Sequence, residues 1–169
     1  MNVMKTIKIE KLTLNLGTGG AGDKVEKGLK LLTAISGEKP VKTSSNKRIP
    51  TWGVRPNLPI AVKVTLRGKK AQDLLKRLFH ALDNRLPERK FDKFGNFSFG
   101  IDEYIKIPGV QYDVSIGIIG LEAAVTLTRA GFRVKRRAHK AAKIPLRHQI
   151  SKQEAVAFIK TNYNLEIGA

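Results

Sequence analysis

The chain has 169 residues, of which 41% are hydrophobic; it has no cysteine and carries a formal net charge of +18. Length and hydrophobic share suit one folded domain and exclude wholesale disorder, and the missing cysteine excludes disulfides, cysteine-ligated zinc and a cysteine nucleophile. No apolar run approaches the roughly 20 residues that span a bilayer, and the opening MNVMKTIKIEKL lacks a secretory apolar region, so a soluble cytoplasmic protein with no membrane partner is expected.

In chain order, Ile7 to Leu16 predicts a strand. Ile7 and Ile9 sit on one parity and Leu12, Leu14 and Leu16 on the other, so a bulge near Glu10–Lys11 is needed to bring both sets to one face. A glycine-rich turn, GTGGAGD, leads to a helix. Asp23 to Glu26 resembles a capping box, Val25, Leu29, Leu32 and Ile35 give the apolar stripe, and Gly37 stops it. A short strand near Val41 and a loop follow. Ile60, Val62, Val64 and Leu66 alternate as a strand that Gly68 ends. Ala71, Leu74, Leu75, Leu78, Phe79 and Leu82 form one stripe of an amphipathic helix from about Lys69 to Leu86.

Phe97, Phe99 and Ile101 predict another strand, and Leu121, Ala123, Val125 and Leu127 the last clear one. Residues 130–150 form a basic arm without a period. Ser151 to Glu154 is a second capping box, opening a final helix with Ala155, Phe158 and Ile159 inward. No internal repeat is visible. Single-face alternation in each strand predicts an α+β fold: a largely antiparallel sheet with helices packed on one face, plus a basic C-terminal arm and terminal helix. The whole is expected to be one domain over 1–169, extended by the loop 46–57 and the arm 130–150.

The charge is concentrated. From Lys39 to Gln72, and again from Ala123 to Gln153, there are nine Lys or Arg and no acid. Such one-signed segments point to a polyanion. They are rich in Pro, Ser, Thr and β-branched residues, which suits nucleic acid better than a membrane-surface helix. The outward strand residues would be Lys11, Thr13 and Asn15, then Lys63, Thr65 and Arg67, then Ser98 and Gly100, then Thr126 and Thr128. This is a small, hydrogen-bonding face with a basic bias, suited to sugar-phosphate backbone and 2′-hydroxyls. An ordinary solvated face would also carry threonine, a good strand former. No aromatic stands there to stack bases. Lys42 in the first basic segment and Arg133, Lys135, Arg136 and Arg137 in the arm complete the candidate RNA contacts.

Other motifs do not assemble. Gly17 to Gly22 matches G-x-G-x-x-G, but the acid that a dinucleotide site needs at the end of the second strand is missing. A flexible connection, or phosphate capture at the helix N-terminus, are the other readings. His80, His139 and His148 have no metal spacing. His80 is expected to be structural and the other two to be further RNA contacts. Ser115 lacks the glycine context of a nucleophile, and Asp102 and Glu103 point to opposite faces of a strand. No cofactor, no metal site and no enzyme activity are expected.

KIEKLTLNLGTGGAGD (8–23), LLTAISGEKPVKT (31–43), PIAVKVTLRG (59–68), GNFSFGIDEYI (95–105) and YDVSIGIIGLEAAVTLTR (112–129) resemble the universal large-subunit ribosomal protein of the L-five family, whose eukaryotic counterpart is called L-eleven. The terminal ISKQEA helix is similar to the archaeal or eukaryotic branch. The resemblance implies a protein that binds 5S rRNA and anchors it to the 23S-type rRNA of the central protuberance, among neighbouring ribosomal proteins. It implies 5S contacts at Thr13, Asn15, Thr65 and Arg67. It also implies a loop that approaches P-site tRNA, here Asn46, Lys47, Arg48, Trp52 and Arg55 within NKRIPTWGVRP. Trp52 either stacks on RNA or pins the loop base to the core, and pinning is the commoner role. Glu38 stands where relatives often carry Gln, so no RNA contact is carried over to it.

Overall fold

The computed structural model describes residues 2–20 and 22–168. Its main layer is a five-stranded antiparallel sheet in the order β2-β3-β1-β6-β5, built from β1 (Ile7–Gly17), β2 (Val41–Ser44), β3 (Pro59–Leu66), β5 (Phe97–Ile101) and β6 (Leu121–Arg129). The central strand contains the expected bulge. Ile9 pairs with Leu127 but Lys11 pairs with Thr126, so Glu10 is the extra residue. That shift returns Ile7 and Ile9 to the side on which Leu12, Leu14 and Leu16 are buried.

Three helices cover that side. In α1 (Asp23–Ser36), Val25, Leu31, Leu32 and Ile35 are buried, and Gly37 closes the helix in the left-handed conformation at φ 67°. Gly28 faces the sheet, where a Cβ would lie 3.1 Å from the Leu16 side chain and 3.3 Å from that of Val62, so its bareness sets the helix close to β1 and β3. The expected capping box at Asp23 does not form. Gly22 is the cap residue, which places Asp23 and Glu26 inside the first turn, where they favour the helix dipole instead. In α3 (Lys152–Tyr163) the box does form: Glu154 N–H donates to Ser151 Oγ at 3.3 Å, and Ser151 N–H donates to Glu154 Oε2 at 2.9 Å.

The stripe of α2 (Gly68–His80) is buried as expected, but the helix stops six residues before Leu86. Asp83 and Asn84 take φ of 52° and 55°, a left-handed pair that these side chains tolerate and that turns the chain away from helical geometry. Arg85–Pro87 then forms β4, which pairs in parallel with β7 (Glu166–Gly168) in a separate two-stranded sheet. Neither short strand is visible in the sequence pattern. Phe79 ties the helices to the sheet. Its ring lies 5.6 Å from that of Phe99 and meets Tyr163 of α3 edge-on at 5.4 Å. Truncating a fully buried leucine of this layer, such as Leu75, would cost about 2–5 kcal/mol.

Candidate nucleic-acid interface

The helices leave the other side of the sheet open, and strand register arranges its side chains in rows. One row runs Val41, Lys63, Asn15, Glu122 and Gly100; the next runs Thr65, Thr13, Ala124 and Ser98. Lys11 stands opposite Thr126 beyond them. Opposite residues have Cβ atoms about 4.5–5.5 Å apart, so each row is a continuous surface. Lys63, Thr65, Arg67, Ser98 and Gly100 are exposed; Lys11, Thr13, Asn15, Thr126 and Thr128 are half-buried between neighbours. Asn15 Nδ2 donates to Glu122 Oε2 at 3.3 Å, which orients the amide at the centre of the face. Sequence reasoning names Thr126 and Thr128 from β6 and omits Glu122, although it shares their parity and is fully legible by alternation.

Ion pairing divides the cations into two groups. Lys42 pairs with Glu26 at 2.5 Å; its backbone partner is Val62, so it stands on the helix side of β2 and apart from the open face. Lys70 holds the Glu38 carboxylate, which lines the same depression as Lys63 and Arg67. Arg136 reaches back to Glu10 at the bulge. Lys11, Lys63, Arg67, Arg133, Lys135 and Arg137 make no ion pair among the described residues, so their charge is available to a ligand.

The arm is folded back. A short helical turn at Phe132–Lys135 buries Phe132, and the Arg137 Nε–H donates to the Lys140 carbonyl at 2.8 Å. Arg129, which ends β6 and is 5% exposed, donates to the carbonyls of His148 and Gln149 and to the Glu154 carboxylate at 2.7 Å. The His148 ring nitrogen lies 2.9 Å from the Ala130 carbonyl and its ring packs edge-on against Phe132, so it has a structural partner; His139 is exposed.

Loop 46–57 continues the β2–β3 hairpin. Ile49 and Val54 exchange backbone hydrogen bonds of 2.9 and 3.0 Å around a turn at Pro50–Trp52. Asn46, Lys47, Arg48 and Arg55 are all exposed. Trp52 is 73% exposed, so the expected pinning role is wrong; Val54, 5% exposed, anchors the loop instead. A flat, largely exposed indole in this loop is available for stacking.

Among the described residues no cluster of His, Asp or Glu could hold a metal ion, and no helix is long and apolar enough to cross a membrane. The glycine run does not sit in a dinucleotide-binding frame, because β3 lies between β1 and β2 in the sheet.

This antiparallel layer with one helical side and one open basic side accords with two family matches. Ribosomal protein L5 matches residues 2–55, and the C-terminus of the same ribosomal family matches residues 59–162. The chain belongs to the ribosomal protein L5 family. Its relatives include large ribosomal subunit proteins uL5 of archaea. That of Sulfurisphaera tokodaii is 48% identical, covering 99% of this chain and 95% of its own length. That of Nanoarchaeum equitans is 47% identical, covering 97% of both. That of Sulfolobus acidocaldarius is 44% identical, covering 98% of this chain and 93% of its own. By its family the chain is a structural ribosome component and not an enzyme, and the two family segments meet at the loop that carries Trp52.

Proposed function

We propose that this chain, a large-subunit ribosomal protein of the cytoplasmic ribosome by its family, binds 5S rRNA through the open sheet face and attaches it to the 23S-type rRNA of the central protuberance. The observation that carries this reading is the arrangement of the face. Short hydroxyl and amide side chains, Thr13, Asn15 and Thr65, occupy its centre, and unpaired cations, Lys11, Lys63 and Arg67, stand around them. Short side chains let a ribose-phosphate backbone approach the strands closely, while the cations neutralise its phosphates. The arm, with Arg133, Lys135, Arg136 and Arg137, extends this basic surface for 5S rRNA and carries it on to the 23S-type rRNA. Loop 46–57 projects as a separate extension toward P-site tRNA, with Lys47, Arg48 and Arg55 on phosphates and Trp52 on a base or ribose. The whole acts as one RNA-binding domain among neighbouring ribosomal proteins.

Asn15→Ala and Thr65→Val test the reading. Each removes one hydrogen bond, worth on the order of 1 kcal/mol or about fivefold in 5S rRNA affinity. Both positions lie outside the core, so the melting temperature should hold. If both variants bind 5S rRNA like the wild type, the RNA surface lies elsewhere.

A further inference from the structure

A groove of about 600 Å³ opens beside the arm end of the sheet face, within the ~300–1,000 Å³ range of sites that enclose a small organic ligand. Its floor is apolar, formed by Leu127, Phe132 and Ile150. Two apolar side chains flank it from different elements and face solvent: Phe94, 59% exposed, in the turn before β5, and Leu146, 84% exposed, in the returning arm. The charged residues lining it are Lys135 and Lys143, and no acid lines it. Neither lysine makes an ion pair among the described residues; the Lys135 ammonium lies 5.1 Å over the Phe132 ring.

We propose that this groove receives an unpaired base extruded from ribosomal RNA, stacked between Phe94 and Leu146 over the apolar floor, with its flanking phosphates on Lys135 and Lys143. The proposal rests on the RNA-binding reading above and adds to it a base-stacking site that the sheet face, which bears no aromatic, does not offer.

Three observations favour RNA over an apolar peptide. The groove is continuous with the open face, because Thr126 both lines it and stands opposite Lys11 in the sheet. Apart from Phe94 and Asn96, its lining lies within the acid-free segment from Ala123 to Gln153. An apolar slot with a purely cationic rim matches the chemistry of a nucleotide, whose base has two apolar faces and whose two flanking groups are anions. Arg129 holds the carbonyls of His148 and Gln149 to the end of β6, so the returning wall of the groove is preorganised and the base would not have to order it.

The test uses the full chain carrying Phe94→Ala or Leu146→Ala, with deproteinised archaeal 5S rRNA and 23S-type rRNA as separate probes. Loss of one stacked base should weaken binding to one of the two roughly 5- to 150-fold and leave the salt slope unchanged. Lys135→Ala should instead flatten that slope by about one. In the wild-type complex, one base should be protected from dimethyl sulfate or carbodiimide, and Leu146→Ala should restore its reactivity. Both apolar residues are exposed, so circular dichroism should match the wild type. Wild-type binding with unaffected variants overturns the base site and leaves the sheet reading standing. If those variants instead lose a ribosomal protein partner, the groove holds a peptide. Failure of the wild type to bind either RNA overturns both readings.

Discussion

Arg129→Met would show how far the arm depends on one buried cation. The guanidinium is almost fully enclosed, with 4% of the side chain exposed. It donates to His148 O at 3.3 Å, Gln149 O at 3.0 Å and Glu154 Oε1 at 2.7 Å, joining the end of β6 to the returning arm and the first turn of α3. Its Nε is buried without an acceptor, so part of the burial cost is uncompensated. Methionine keeps the apolar stem and removes the charge. Breaking a fully buried ion pair costs about 3–5 kcal/mol. Here the Glu154 side chain is 45% exposed and returns to water, so the loss should be smaller, about 2–3 kcal/mol. For a chain of this length 1 kcal/mol moves the melting temperature by about 2–4 °C, which predicts a fall of roughly 4–12 °C by calorimetry at pH 7. Limited proteolysis should cut within 130–150 sooner than in the wild type. A melting temperature unchanged to about a degree, with the arm equally resistant, would refute the clamp.

Glu154 predicts a pH effect. The Ser151 backbone N–H, then the Arg129 contact, hold its carboxyl below the usual carboxylate range against an opposing push from burial. A depressed folded-state pKa stabilises the protein above the unfolded value and ceases to do so as pH falls through the folded one. Melting temperature should therefore drop on acidification below about pH 4.5, and Glu154→Gln should be less stable at neutral pH and less steep in acid; parallel curves would contradict this. Replacing Lys47, Arg48 and Arg55 together by alanine should leave 5S rRNA binding and subunit assembly nearly intact, since all three are exposed in the loop beyond the paired residues of β2 and β3, and weaken tRNA retention in assembled ribosomes. Loss of 5S binding with normal tRNA retention would reverse that assignment. Trp52→Ala should leave the stability within about 0.5 kcal/mol of wild type, as expected for a surface position; a larger loss would restore the pinning role.

Alternation made the sheet legible. Each of β1, β3, β5 and β6 buries one face, and even the bulge at Glu10 follows from the parity change between Ile9 and Leu12. The outward residues followed from the same parity, which is why Lys11, Thr13, Asn15, Lys63, Thr65 and Arg67 fall together. What was not legible depended on partners distant in sequence. β4 is a short strand that exists because β7, far along the chain, pairs with it. Lys42 reads as one more cation in a basic run until Glu26 is found beside it across a helix-strand contact. The end of α2 was missed because Leu82 continues the stripe, while the backbone at Asp83 and Asn84 breaks it. Trp52 was misread because aromatic burial is a frequency, and here Val54 already fills the anchoring position.

The central claim, specific 5S rRNA recognition by a basic open face and arm, is tested most directly by affinity across a salt series. Lys11, Lys63, Arg67, Arg133, Lys135 and Arg137 are the cations of this surface left without an ion pair among the described residues. At roughly 0.7–0.9 per phosphate neutralised, they predict a slope of about −4 to −5 for log K against log salt. The account also predicts that 5S rRNA outcompetes an unrelated RNA of equal length at every salt concentration. A flat salt response, or equal affinity for the two RNAs, would contradict it.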